Sequence, residues 1–219
     1  MATKKNITPD RSALISKYTD HCLMHGRRPE SVYKFANDNG FEEVLFYRYF
    51  ASFEALEHEF FVDMFTHTHE ILEKTPSYAE YSGTEKLSAF YFTFFDLATA
   101  NRSFVMFVLR EGGHTLRNLV KLKGFRKLFL AYAEAILEKP IETHGHRIGK
   151  VQDTAIREGA WLQFLSILKF WMDDTSSAFE KTDIFIEKSV KASADLVYNI
   201  PLKSVLDLGK FIWKEKFKA

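Results

Sequence analysis

Apolar positions recur along almost the whole chain at three- and four-residue intervals, the spacing of one helix face. No run alternates apolar and polar residues for the length of a strand, and Asn39-Gly40 lies between helical patterns rather than between β-branched runs. Prolines stand at 9, 29, 76, 140 and 201, each at a helix boundary in this reading, because proline suits a first turn and breaks an interior. The pattern predicts an all-α fold. A first helix opens at Thr8-Pro9-Asp10, with a hydroxyl cap, a proline at the first position and an acid in the first turn, and runs to Gly26. Short helices follow over Glu30–Asn39 and Glu42–Phe50, and a fourth runs from the Ser52 cap to Lys74. Longer ones are predicted over Thr84–Ala100, Arg102–Arg110, Leu116–Glu138, Lys150–Met172 and Ser177–Asn199, with a last helix after Pro201. "EGGHT" and "THGHRIG" are the clearest loops.

The segment "SVYKFANDNGFEEVLFYRYFASFEALEHEFF" (31–61) has the layout of helix, tight turn, helix. Val32, Phe35 and Ala36 form one apolar stripe, Phe46 and Phe50 close the same small core, and Gly40 supplies the backbone of a sharp turn. Ser31, Val32, Phe35, Ala36, Gly40, Tyr47, Phe50, Ser52, Glu54, Ala55 and Leu56 fit a known pattern. The segment thereby resembles the helix-turn-helix domain of the TetR family of bacterial repressors. The resemblance implies a TetR-like three-helix unit over 1–51, joined by a long helix to a ligand-binding and dimerisation body over 52–200. It also implies a homodimer reading a palindromic operator, with Arg27, Arg28, Ser31, Lys34, Tyr47, Arg48 and Tyr49 carrying the DNA contacts. The sequence departs from the family at Glu42 and Glu43, where small or basic residues open the recognition helix, and at Phe53, where a lysine follows the serine cap.

Charge works against DNA. The 219 residues carry 30 Lys and Arg against 29 Asp and Glu, a formal net charge of +1. Through residue 60 there are eight basic side chains and nine acidic ones, a poor start for phosphate contacts. Lys4 and Lys5 read as a mobile basic arm. A purely structural three-helix unit stays open beside the DNA-reading one.

Aromatic content is 16%, with 22 Phe. Phe92, Phe95, Phe107, Trp161, Phe164 and Trp171 are the candidate lining of an apolar ligand site; the same rings suit a packed core. "WLQFLSILKFW" (161–171) is apolar on nearly every side, which fits either a dimer helix or a central core helix. Trp171, Asp174, Ser176, Phe179, Thr182, Phe185 and Ile186 resemble the C-terminal signature of the accessory lipid-binding family of coenzyme Q biosynthesis, itself TetR-like in fold, although Asp183 stands where that family has tryptophan. Asp174 and Ser176 also read simply as cap and turn residues between two helices. The segment 201–219 reads as a basic amphipathic helix, with Leu202, Val205, Leu206, Leu208, Ile212, Trp213 and Phe217 on one arc. It suits a membrane surface or the body of the chain. The alternative function is therefore a TetR-fold protein that presents an isoprenoid or acyl lipid at a membrane.

Other chemistry is sparse. Cys22 is the lone cysteine and reads as a buried apolar residue. With no signal-peptide pattern in the first residues, a reducing, cytoplasmic setting is expected. His67 and His69 fall on different helix faces, and His144 and His146 flank a loop glycine, so no metal site is expected. No phosphate loop, nucleophile elbow or paired-acid motif occurs, and neither an enzymatic activity nor a cofactor is expected.

Overall fold

Asp10 caps the first helix of the computed structural model, which describes residues 9–113, 115–137 and 146–199. Its carboxylate accepts from the Ala13 amide at 2.8 Å, so α1 (Arg11–His25) starts two residues later than a helix led by Pro9 would. The Thr8 cap and the Lys4–Lys5 arm lie outside the described residues, as do His144 and the amphipathic segment 201–219. The other helices are α2 (Val32–Asn39), α3 (Glu43–Tyr47), α4 (Phe53–Glu73), α5 (Gly83–Ala100), α6 (Arg102–Arg110), α7 (Thr115–Asn118), α8 (Lys123–Ile136), α9 (His146–Asp173) and α10 (Glu180–Asn199). No strand occurs among the described residues, and the architecture is all-α.

α9 starts at His146, so the HRIG part of the expected THGHRIG loop is helical, and three further helices differ from the sequence expectation. The third is five residues long rather than nine, because its last turn tightens. Arg48 and Tyr49 donate to Leu45 and Phe46 three residues back, and only Phe50 keeps a four-residue bond. The helix expected over Leu116–Glu138 is α7, a 3₁₀ turn over Leu119–Leu122 and then α8. The helix expected from Ser177 begins at Glu180, after a 3₁₀ turn in which Ala178 and Phe179 have φ of 51° and 59°.

By compactness the chain divides into two units, one of residues up to Ala79 with Phe92–Tyr132, the other of Glu80–Tyr91 with residues from Ala133 onward. In the first, Phe35 is the hub of an aromatic core. Its ring meets those of Tyr18 (6.2 Å), Phe41 (5.6 Å), Phe46 (6.3 Å) and Phe53 (5.7 Å). α1 also packs against α6, where Phe104 lies edge-on to Tyr18 and to Phe60. Cys22 is fully buried in α1, and burial raises its thiol to about 11, so it stays protonated.

In the second unit α9 packs on α10. Tyr91 of α5 donates to the Ala160 carbonyl (3.1 Å) and to Gln163 (3.3 Å), and Gln163 donates to Ser193 of α10 (3.0 Å). The start of α5 approaches the end of α8 so closely that a Cβ on Gly83 would sit 2.1 Å from the Ile136 carbonyl oxygen, a position only glycine fills.

Candidate nucleic-acid interface

α2 and α3 are joined as the sequence requires. Ser31 caps α2 by accepting from the Lys34 amide (3.1 Å), and Gly40 ends it with φ 71°. The Phe41 amide reaches back to the Ala36 carbonyl (3.1 Å), and the Phe41 ring packs on Phe35, the usual closure of a left-handed helix end. Leu45 and Phe46 bury the inner side of α3, while Val44, Tyr47, Arg48 and Tyr49 are exposed. Glu42 precedes α3 without a side-chain cap bond, and Glu43 accepts from the Tyr47 hydroxyl at 3.4 Å.

The seven residues assigned to DNA do not share one environment. Arg48 is exposed, and its guanidinium has no ion pair or hydrogen bond among the described residues. Tyr47 and Tyr49 are 52% and 44% exposed. Ser31 uses its hydroxyl as an acceptor in the cap, which leaves its proton to donate elsewhere. Arg27 and Lys34 are exposed but share one acid. Glu30 accepts from Lys34 at 3.0 Å and from Arg27 at 3.3 Å, and those two cations hold its carboxyl below the usual range, Lys34 more than Arg27.

Arg28 stands apart. Its Nε and Nη2 donate to the two oxygens of Glu57 (2.9 and 2.7 Å), its Nη1 to Glu54 (2.9 Å), and its Nη2 lies 3.0 Å from Glu111. Glu57 is fully buried; the Tyr18 hydroxyl also donates to it (2.8 Å), and Lys121 Nζ lies 3.1 Å away. Burial works against the Arg28 charge, but Glu57 outweighs it and the guanidinium is held above its ordinary pKa. Every terminal nitrogen of the Arg28 fork thus already has an internal acceptor, which sets it apart from the other six residues expected to face DNA. Phe53, in the place of a family lysine, turns inward and stacks on Tyr18 at 5.0 Å.

Glu57, Glu111 and Lys121 are the residues that sequence reading missed. One signal for Glu57 was present: it falls four residues from both Phe53 and Phe61, on the buried stripe of α4. A carboxylate on such a stripe must find buried partners.

The ligand candidates also divide. Phe95, Trp161, Phe164 and Trp171 are buried, with Trp161 stacked on Phe164 at 5.3 Å. Phe92 and Phe107 are half-buried, and Phe107 stacks on Phe104 at 6.2 Å. Between α9 and α10, Asp174 accepts from the amides and hydroxyls of both Ser176 and Thr182 (2.7–3.0 Å). Burial opposes its charge, but these four donors bring its carboxyl to about 2. α9 is not buried on all sides: Trp161, Phe164, Ile167, Leu168 and Trp171 face inward, whereas Leu162 is 62% exposed, and Ile184 of α10 is 48% exposed.

Among the described residues no group of three or more His, Cys, Asp or Glu is placed to hold a metal ion. No single helix there is long and apolar enough to cross a membrane. A family model described as the tetracyclin repressor-like C-terminal domain matches residues 86–212. No curated protein matches the chain.

Proposed function

This chain belongs to the tetracyclin repressor-like family, whose C-terminal model spans more than half of it, and on that premise we propose that it is a DNA-binding transcriptional regulator. It reads a palindromic operator as a homodimer and answers to a small hydrophobic ligand. The observation that carries the reading is the α2–α3 pair closed at Gly40, with Arg48, Tyr47 and Tyr49 exposed on and just after α3. Lys34, Arg27 and Ser31 contribute from α2 and its approach, with Glu30 muting the first two.

The test is retention on duplex DNA as salt is raised. Arg48→Ala lowers the salt slope by about one, and Glu30→Gln, which releases Lys34 and Arg27, strengthens retention. No retention by the wild type even at low salt would sink the reading.

The homodimer is proposed to form on the α9–α10 face that exposes Leu162 and Ile184. Leu162→Glu is then expected to halve the mass seen by sedimentation, and an unchanged mass would argue against that face. Phe92 and Phe107, half-buried, are the candidate side chains for a hydrophobic effector. The lipid-presenting alternative rests on segment 201–219, and liposome pelleting with and without that segment decides it.

A further inference from the structure

Arg28 occupies the corner between α1, which ends at Gly26, and α2, which starts at the Ser31 cap. Its acceptors come from far along the chain: Glu54 and Glu57 on α4, and Glu111, the residue that closes α6. Lys121 ties two of these carboxylates together. Its Nζ, almost fully buried, lies 3.1 Å from Glu57 and 2.8 Å from Glu111, and it donates to the Val108 carbonyl of α6 at 3.1 Å. Asn118 adds bonds to the Leu109 and Glu111 carbonyls (3.2 and 2.7 Å). The last turn of α6 is thus gripped from two sides, just before Gly112 and Gly113 turn the chain with φ of 63° and 73°. α6 also reaches Glu57 through rings: Phe107 stacks on Phe104, Phe104 meets Tyr18 edge-on at 6.0 Å, and Tyr18 donates to Glu57.

We infer that Arg28 is a positioning residue: through Glu57 and Glu111 it clamps the α1–α2 corner to α4 and to the end of α6, and this clamp, not a phosphate contact, is its part in DNA binding. Charge-assisted bonds of this kind hold at 2.7–2.9 Å and weaken quickly with displacement. A shift of the α6 end therefore changes the hold on α2 and α3 directly, and Phe107, a candidate effector contact, lies on that helix. The part of the inference that concerns DNA rests on the function proposed above.

Arg28→Lys and Glu111→Gln separate a clamp from a contact. Lysine keeps the charge but loses the planar fork that binds two carboxylates; Glu111 is an acid, which repels phosphate rather than contacting it. Amide hydrogen exchange across 32–47 is measured in the whole protein, together with binding to a duplex pool that the wild type selects from a random-sequence library. Both variants are expected to exchange roughly three- to ten-fold faster across 32–47, with α10 amides unchanged. Both lose affinity by a similar factor with the salt slope intact, unlike Arg48→Ala. Wild-type exchange and affinity in Arg28→Lys, or unchanged exchange in Glu111→Gln, overturn the clamp. If the wild type retains no duplex at low salt, the DNA reading fails by itself and the exchange measurement still decides the clamp.

Discussion

Glu57 and Asp174 are both buried carboxylates, and they are held by different means. Glu57 is surrounded by charge: Arg28 forks onto it, Lys121 approaches the same oxygen as the Arg28 Nη2 and Tyr18 adds a hydroxyl. Its partners lie at positions 18, 28 and 121, so it fastens three distant stretches of chain. Asp174 is held by donors close by in the chain. Four hydrogen bonds from Ser176 and Thr182 satisfy it, all within eight residues. A buried charge answered by charge links elements; one answered by neighbouring N–H and O–H groups shapes a single corner. The two differ in what their removal leaves behind. Loss of Glu57 leaves Arg28 and Lys121 only the more exposed Glu54 and Glu111 as counter-charges, whereas loss of Asp174 leaves amides and hydroxyls at a helix end.

The largest expected effect follows from that contrast. Glu57→Ala is predicted to cost about 3–5 kcal/mol in urea unfolding, the range for breaking a buried pair from one side. A loss below about 1 kcal/mol would mean that Glu54 and Glu111 compensate Arg28 and Lys121. Asp174→Ala is expected to cost about 1–2 kcal/mol, as a lost cap does.

Acid sharpens the same contrast. The Asp174 carboxyl titrates at about 2 in the folded chain against an ordinary 3.8, so the folded state favours its charged form. Its contribution is whole above about pH 4 and is lost as pH falls toward 2. The stability gap between wild type and Asp174→Ala should accordingly close over that window, and a gap that persists at pH 2 would contradict the assignment.

The smallest effect is expected at Glu30, which pairs with Lys34 and Arg27 at the surface. Solvent screens such pairs, so Glu30→Gln leaves the urea midpoint unmoved while changing DNA retention.

Much of the fold was legible because its signals are local. Ser52 caps the helix that follows it, and Gly40 takes the left-handed turn, whereas α2 starts at Val32 behind a Ser31 cap rather than at Glu30. Val32, Phe35, Ala36, Phe46 and Phe50 were read as one small core, and the Phe35–Phe46 and Phe46–Phe50 ring contacts show why that spacing works. Asp174 and Ser176 were read as a cap and turn, since their partners are a few residues away. The break of the expected Leu116–Glu138 helix was not legible. There Asn118 and Lys121 turn back onto carbonyls of α6, a competition set by a segment around ten residues earlier in the chain.

The candidate site was legible as a place but not as a set of roles. Arg28 and Arg48 look alike in sequence, two arginines in one N-terminal three-helix unit. Helical periodicity and capping chemistry determined the all-α architecture, the turn at Gly40 and the family resemblance, because each depends on residues within a turn or two of one another. Tertiary structure alone decided that Arg28 is drawn inward and Arg48 left outside, and that Phe53 stacks on Tyr18 instead of standing where a lysine would meet phosphate. The reason is that a side chain's charge is written in the sequence, while the acceptors that claim it, here Glu57 and Glu111, are brought near only when distant helices pack.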